Sequence, residues 1–464
     1  MTTLTRRTWS RVCGMALWIY GGVGGQSVAD GRAWPLPAYE QGRQSRDSTD
    51  LPDLTQQTTL SACLTYSALN NPGLEAAFHQ WLAALEKIPQ VKALPDPRVT
   101  YANFIESVET RVGPQEQKFG VAQMFPWFGI LDLRGDIAAQ QAKAAYERYE
   151  SMKFNLFRQV KSGYYEYFYL SRAIAITEEN MDLMKRIESV AQAKYKAGAP
   201  VAGVIKAQVE LGKLDERVRS LKDLRQPVAS RLNAALGRTH DAPLPWPTNA
   251  PAHRADFVDE DLFALLHGQN PELRGLEHDV AREEKAIRLA RRAGYPDFML
   301  GVDYIQTGEA LNPDMAGSGK DPVVAMLAID VPLWRGKYRA GVREATRRRE
   351  AAELARNDRR NLLDAALRMA LYRFRDADRK INLYGKTLVP QAEQSLNVTE
   401  EAYRAGSVDF LNLIDAERLL LEFQLAHERA SVDREIALAE IEMLVGRPLA
   451  GMDMETVERG LKTP

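Results

Sequence analysis

One ordered set of short words occurs twice along these 464 residues. Asn71-Pro72-Gly73-Leu74 returns as Asn270-Pro271-Glu272-Leu273, and Phe125-Pro126-Trp127-Phe128-Gly129 returns as Val331-Pro332-Leu333-Trp334-Arg335-Gly336. Tyr195-Lys196-Ala197-Gly198 is matched by Tyr403-Arg404-Ala405-Gly406, and Leu236-Gly237-Arg238 by Val445-Gly446-Arg447. The separation within these pairs grows slowly down the chain, as small insertions between two copies would make it, while the order stays fixed. Length alone points to about three domains of roughly 150 residues; the duplication replaces that count with two copies of one plan. Between them Pro243, Pro245, Pro247 and Pro251 crowd a stretch that no helix interior or central strand accepts. The copies are therefore placed at 60–238 and 259–447, joined by a Pro-rich linker at 239–258 and followed by a tail at 448–464.

Each copy runs through the same periodicities: a helix, two strands, one very long helix, a Gly turn and a shorter return helix. The second hairpin, 297–334, is the cleaner. Phe298, Leu300, Val302 and Tyr304 share one face of its first strand, and Val323, Ala325, Leu327, Ile329, Val331 and Leu333 share one parity of the other. Glu309 to Pro322, rich in Gly, Pro, Asn and Asp, connects them as a surface loop. The first hairpin, 98–128, runs from Val99 to Val112 and from Phe119 to Phe128 around Gly113-Pro114-Gln115-Glu116-Gln117, but its first strand alternates poorly, since Phe104 and Val108 fall on the parity of Glu106.

The helices that follow are too long for a globule. Lys337 to Tyr403 would extend about 100 Å at ~1.5 Å per residue. Leu367, Ala370, Phe374, Ala377, Ile381, Tyr384 and Leu388 step along it by threes and fours, the spacing of a coiled-coil seam. Arg134 to Tyr195 repeats the pattern with Ile176, Asn180, Leu183, Ile187 and Val190, where Asn180 reads as a solvated position, the alternative being a polar residue that sets the register of the seam. Pro390 should kink the second long helix. After Gly198 and Gly406, left-handed helix caps by their position, the chain returns, with Leu413, Ala416, Leu420 and Phe423 as the apolar stripe of the second return. Each copy thus projects an antiparallel helical hairpin away from its strands.

At the N-terminus, Arg6, Arg7 and Arg11 precede an apolar run from Val12 to Val23 and a Ser27-Val28-Ala29 ending, the form of a secretory signal peptide at 1–29 cleaved between Ala29 and Asp30. Residues 30–59 read as a flexible lead-in. Leu60-Ser61-Ala62-Cys63 imitates a lipidation box, but no apolar signal core adjoins it, and Cys63 reads as a buried helix residue. With Cys13 lost in the signal, no disulfide remains. Lys plus Arg total 61 against 62 Asp plus Glu, so no net field draws the chain to nucleic acid. Arg347-Arg348-Arg349 is interleaved with Glu344, Glu350 and Glu353 as a solvated helix face. The 6 His are scattered, and no metal site, cofactor site, P-loop, GxSxG or catalytic dyad is present to read; the chain is not expected to be an enzyme.

Strands of roughly 10 to 12 residues, tilted ~45°, cross a hydrocarbon layer of about 25 Å. Four strands cannot close a transmembrane barrel, whose smallest forms need about 8, and open edges are forbidden in lipid. Several chains must pool their strands: two would give about 8, three about 12 and four about 16. The other reading of the same helices is a periplasmic coiled-coil adaptor or scaffold, which would need no strands long enough to span lipid.

In this order, from Ala68-Leu69-Asn70-Asn71-Pro72 through hairpin, long helix, Tyr-x-Ala-Gly turn and return helix, twice over, the chain resembles the TolC-type outer-membrane efflux channel family. The resemblance implies a mainly α fold with transmembrane β: a homotrimer in the outer membrane, a shared 12-stranded barrel, and an α-helical tunnel in the periplasm. It also implies a passive exit duct for small molecules or metal ions, served by a periplasmic adaptor protein and an inner-membrane pump. Leu94-Pro95-Asp96-Pro97-Arg98 looks most like members paired with pumps of the resistance-nodulation-division type. Tyr195, Ala197, Gly198, Tyr403, Ala405 and Gly406 would then be the turns that meet the adaptor. Acidic residues narrow the family's tunnel just beyond the second turn; Asp415 stands at one such position and Asn412 at the other, with Gly203 and Lys206 at the equivalent places in the first copy. A ring of Asp415 from three chains would attract cations and repel anions.

Overall fold

The computed structural model describes residues 52–56, 58–247, 257–312 and 314–449. The signal peptide with its Ala29/Asp30 cleavage point, most of the lead-in, part of the linker and nearly all of the tail lie outside them. In chain order the elements are α1 (Leu60–Asn70), α2 (Pro72–Lys92), β1 (Arg98–Thr110), β2 (Gly113–Phe125), α3 (Ile130–Lys196), α4 (Ala202–Asp223) and α5 (Arg225–Leu236). After the linker come α6 (Asp259–Gln269), α7 (Pro271–Arg292), β3 (Asp297–Thr307), β4 (Val323–Asp330), α8 (Arg335–Leu383), a π-helical turn (Tyr384–Leu388), α9 (Val389–Ala405) and α10 (Phe410–Val445). α3 alone has 67 residues. Cys63 is buried on α1, and burial pushes its thiol up to about 12. Among the described residues no helix is long and apolar enough to cross a membrane.

The four strands form one antiparallel sheet in the order β1-β2-β3-β4. Val99 pairs Val121, which pairs Val302, which pairs Ala325; Tyr101, Phe119, Tyr304 and Val323 form the next row. Period-two alternation puts both rows on one face. Leu300, Leu327, Phe298 and Ile329 extend that face, and the Tyr101 and Phe119 rings meet across it at 5.2 Å. The opposite face carries Thr100, Gly120, Asp303 and Lys118, with a 2.6 Å ion pair between Lys118 Nζ and Asp303 Oδ2. One face is built of aliphatic and aromatic rows; the other is mixed, with Met124, Met299, Ile305, Val324 and Met326 beside its small, polar and charged residues.

Each strand runs into its own helix, and the helices keep the strand order: α2, α3, α7 and α8 pack side by side as β1 to β4 do. The sheet therefore continues, element for element, into a helical wall. Toward the Gly turns the wall changes members, with α3 now flanked by α4 and α10, and α10 by α9. The duplicated words meet at the crossover. Asn71 caps α2, its Oδ1 accepting from Leu74 N at 3.0 Å, while its Nδ2 donates to Ala235 O at 3.0 Å. Asn270 caps α7 in the same way, accepting from Leu273 N at 3.0 Å and donating to Leu444 O at 2.8 Å. Pro72 and Pro271 follow at the first helical position, where a missing N–H costs nothing. Gly237 and Gly446 end α5 and α10 with φ of 74° and 72°, and a Cβ there would lie 2.5 Å from Asn70 O and 2.7 Å from Gln269 O. Asn-Pro and Leu-Gly-Arg recur together because they are two halves of one clasp.

Several expectations are corrected. β4 stops at Asp330 rather than reaching Leu333, because Pro332 cannot donate to a ladder, and the first hairpin turns at Arg111 and Val112, so that Gly113-Pro114-Gln115-Glu116-Gln117 belongs to β2 rather than to the turn. The poor alternation of β1 is a bulge: its register against β2 shifts between Asn103 and Val108, and an odd shift exchanges the faces. The interruption expected at Pro390 is present, in the form of a widened π-helical turn just before it that accommodates the absent donor and the ring. Asn180 is not solvated. It is 4% exposed, and its Nδ2 donates to Ile176 O at 2.8 Å and across to Gln424 Oε1 at 3.0 Å, tying α3 to α10.

Candidate functional site

The turns between long and return helices bring the named residues of both copies together. Gly198 (φ 100°) and Gly406 (φ 81°) take the left-handed conformation, and their N–H groups each donate at 3.0 Å to the carbonyls of Tyr195 and Tyr403. The two tyrosines then part company. Tyr195 is 51% exposed, with Ala197 and Gly198 beside it on the surface. Tyr403 is 8% exposed and lies edge-on to Phe410 at 5.4 Å, beneath Lys194 Nζ at 4.4 Å from the ring. Lys194 also donates to the Tyr403 carbonyl, so the end of the first long helix closes over the second. Gly203 lies against the same pair: a Cβ there would sit 3.4 Å from the Phe410 ring, in ordinary van der Waals contact. Ala405 and Gly406 are exposed. Five of the six turn residues thus face solvent, and Tyr403 joins the hairpins.

One turn further, Asn412 and Asp415 occupy the exposed side of α10, opposite the buried Leu413, Ile414 and Ala416. The Asp415 side chain is 61% exposed, with Arg418 Nη1 3.8 Å away. Arg418 is engaged elsewhere: its guanidinium forks onto both carboxylate oxygens of Glu210 on α4, one arm at 3.1 Å. Burial pushes Glu210 up, but hydrogen bonds and charge from Arg418 and Lys213 outweigh it and hold the carboxyl below its ordinary range. Lys206 is exposed on α4. Chemically this end offers charge and hydrogen bonding rather than a reacting group, and among the described residues no three His, Cys, Asp or Glu side chains converge as a metal cluster would require.

Residues 64–238 and 262–447 each match the outer membrane efflux protein family. The chain belongs to that family. Among curated relatives of this efflux protein, the cobalt-zinc-cadmium resistance protein CzcC of Cupriavidus metallidurans is 22% identical over 399 residues, 84% of this chain and 90% of that one. Nodulation protein T of Rhizobium leguminosarum is 22% identical over 359 residues, 75% and 76% of the two chains. The crystal structure of the outer membrane protein VceC from Vibrio cholerae superposes with a TM-score of 0.71 at 16% identity, covering 85% of this chain and 98% of that one. The adaptor or scaffold reading is not favoured by these matches.

Six buried glutamates among the described residues of the efflux protein escaped sequence reasoning, because a charged residue on a long polar helix reads as surface, and burial pushes two of them, Glu417 and Glu147, well up. Glu417 is 1% exposed, and one of its oxygens has no hydrogen-bond partner. Burial first, then repulsion from Glu210, pushes it up to about 7 against an opposing pull from Arg418. Glu147 on α3 is held by Arg274 at 2.6 Å and is likewise pushed up to about 7, mainly by burial. Only a count of apolar neighbours on the same helical turn, as Leu413, Ile414 and Leu420 give for Glu417, hints at such a position.

Proposed function

We propose that three copies of the chain, each supplying its four strands, close one 12-stranded barrel in the outer membrane and continue it as a helical tunnel in the periplasm. The observation that carries this is the sheet itself. It has one face of aliphatic and aromatic rows, one mixed face that carries the Lys118–Asp303 ion pair and, among the described residues, no strand beyond β1 or β4 to satisfy either edge. In lipid those edges must be paired, and another copy is the partner whose β1 can meet β4. Two copies would close about 8 strands, an interior just filled by side chains; three are the fewest that leave a lumen. The face of aliphatic and aromatic rows then meets lipid, and Lys118 and Asp303 face the lumen.

The assembly serves as a passive exit duct for small molecules or metal ions. The exposed turns at Tyr195, Ala197, Gly198, Ala405 and Gly406 meet a periplasmic adaptor that links the duct to an inner-membrane pump, with Tyr403 fixing their spacing. Asp415 and Asn412 form the narrow periplasmic entrance.

Cysteine pairs across the two edges test the assembly: Val99→Cys or Tyr101→Cys on β1 with Val323→Cys or Ala325→Cys on β4, oxidised in intact outer membranes. At least one pairing should give a covalent ladder that ends at the trimer. A ladder ending at the dimer, or none from any pairing, would refute the shared barrel.

A further inference from the structure

At the base of the sheet, where β2 passes into α3 and α7 into β3, lies an open groove of about 730 Å³. Trp127, Phe128 and Tyr295 line one part of it, and Arg288, Arg291 and Arg292 the other. Trp127 stacks on Tyr295 at 5.1 Å and on Phe298 at 5.6 Å. Phe298 belongs to the apolar row of the sheet, so the stack extends that face and places the groove on its side of the wall. Arg292 is spent on structure: its Nη1 donates to Phe128 O at 2.7 Å, beside Gly129 (φ 74°), where a Cβ would sit 1.8 Å from the guanidinium. Arg288 and Arg291 are exposed, and among the described residues neither has a carboxylate within ion-pair distance.

We infer that this groove binds the phosphate headgroup of an anionic phospholipid in the periplasmic leaflet of the outer membrane. The inference rests on the barrel reading above. Stacked Trp and Tyr rings settle at the boundary between hydrocarbon and water, and two free guanidiniums one helical turn apart offer forked donors to a phosphate oxygen pair. The groove belongs to the central strand pair β2 and β3, away from the β1 and β4 edges that meet other copies, so assembly leaves it open to lipid. Arg292 pins the chain at Phe128 and keeps the aromatic wall and the two free arginines in register.

The test uses full-length protein in phosphatidylcholine vesicles containing a minor fraction of phosphatidylglycerol. Acyl chains are brominated near the glycerol end in one lipid or the other, at equal bromine content. The Trp127 signal is the part of the fluorescence quenching lost in Trp127→Phe. Each free arginine near an anionic headgroup contributes a factor of about 5 in local lipid preference. Brominated phosphatidylglycerol should therefore quench Trp127 at least several-fold more than brominated phosphatidylcholine. Arg288→Gln with Arg291→Gln should abolish that excess, and Arg288→Lys with Arg291→Lys should keep part of it. Equal quenching by the two lipids in the wild type, or an excess that survives the Gln pair, overturns the site while leaving the barrel standing. No quenching of Trp127 by either lipid overturns the site and the barrel reading together.

Discussion

The two helical hairpins share their punctuation and differ in what each buries. In the first, Tyr195 stands out in solvent and α4 presents Lys206 and Gln208 on its surface. In the second, the corresponding positions are the buried Tyr403, the exposed Asp415 and the buried Glu417. The return path differs as well: α4 and α5 divide at Leu224, just before Pro227, whereas α10 runs unbroken from Phe410 to Val445. What the copies retain is the clasp of Asn, Pro and Gly at the crossover, where both need the same backbone turn. What they lose is symmetry at the tips, where one copy packs on the other through Lys194, Gly203, Tyr403 and Phe410. Two identical hairpins cannot both be the inner partner of such a contact, so divergence concentrates there.

Glu417→Gln, which gives the second hairpin the residue type that Gln208 supplies in the first, should change stability the most. Native Glu417 holds its proton to about pH 7, whereas the unfolded chain releases it near 4.5. Between those values the unfolded state binds fewer protons, so stability falls as pH rises. The cost is absent below the lower value and complete above the upper one, where it reaches about 3 kcal/mol at ~1.4 kcal/mol per pKa unit. Thermal unfolding of the wild type should show that decline together with the one Glu147 contributes over the same range, and the Gln variant should make it shallower by the share of Glu417, leaving that of Glu147. A wild-type midpoint independent of pH across that window would remove Glu417 from the account.

At the clasp the two copies make the same bonds and differ in burial. Asn270 is 4% exposed and Asn71 only half-buried. Asn270→Ala removes an N-cap and strands the Leu444 carbonyl in a dry site, a loss of about 2 to 3 kcal/mol. Asn71→Ala removes the same two bonds where water can replace one of them, a loss of about 1 to 2 kcal/mol. Denaturant unfolding of the two variants should rank them in that order; equal losses, or the reverse, would show that burial does not distinguish the clasps.

The backbone plan was legible in the sequence because it is written in local signals: Gly at left-handed caps, Asn-Pro at helix starts, and apolar residues at the spacing of seams. Leu367, Ala370, Phe374 and Ala377 are buried as their spacing requires, as are Leu413, Ala416 and Leu420. The failures came where a partner distant in sequence decides the outcome. Asn180 looks solvated until Gln424 is opposite it, and Val108 looks misplaced until the bulge exchanges the faces. Neither Asn270 nor Val445-Gly446-Arg447 states that they touch, and the four-strand order with helices following suit is visible only once assembled. For the candidate site, the two Gly turns were legible in the sequence. It did not show that Arg418 is already committed to Glu210, because that ion pair links residues in different copies.

That commitment sets the size of the smallest effect, at the proposed entrance. Had Arg418 been free, it would neutralise Asp415 and a ring of three such residues would carry little charge. With Arg418 forked onto Glu210 and 3.8 Å from Asp415, most of the carboxylate's field remains directed outward. The charge is nonetheless exposed and screened over about 8 to 10 Å in physiological salt, so Asp415→Ala should change the cation-to-anion permeability ratio by only about two- to fivefold, or ~0.5 to 1 kcal/mol. Reversal potentials across planar bilayers under a salt gradient measure this directly, with Asp415→Ala less cation-selective than wild type. Asp415→Lys, which gives the second hairpin the charge that Lys206 gives the first, should move the ratio further in the same direction. If both variants match the wild type, Asp415 is an exposed helix residue with no part in the entrance, and the asymmetry of the two hairpins serves packing alone.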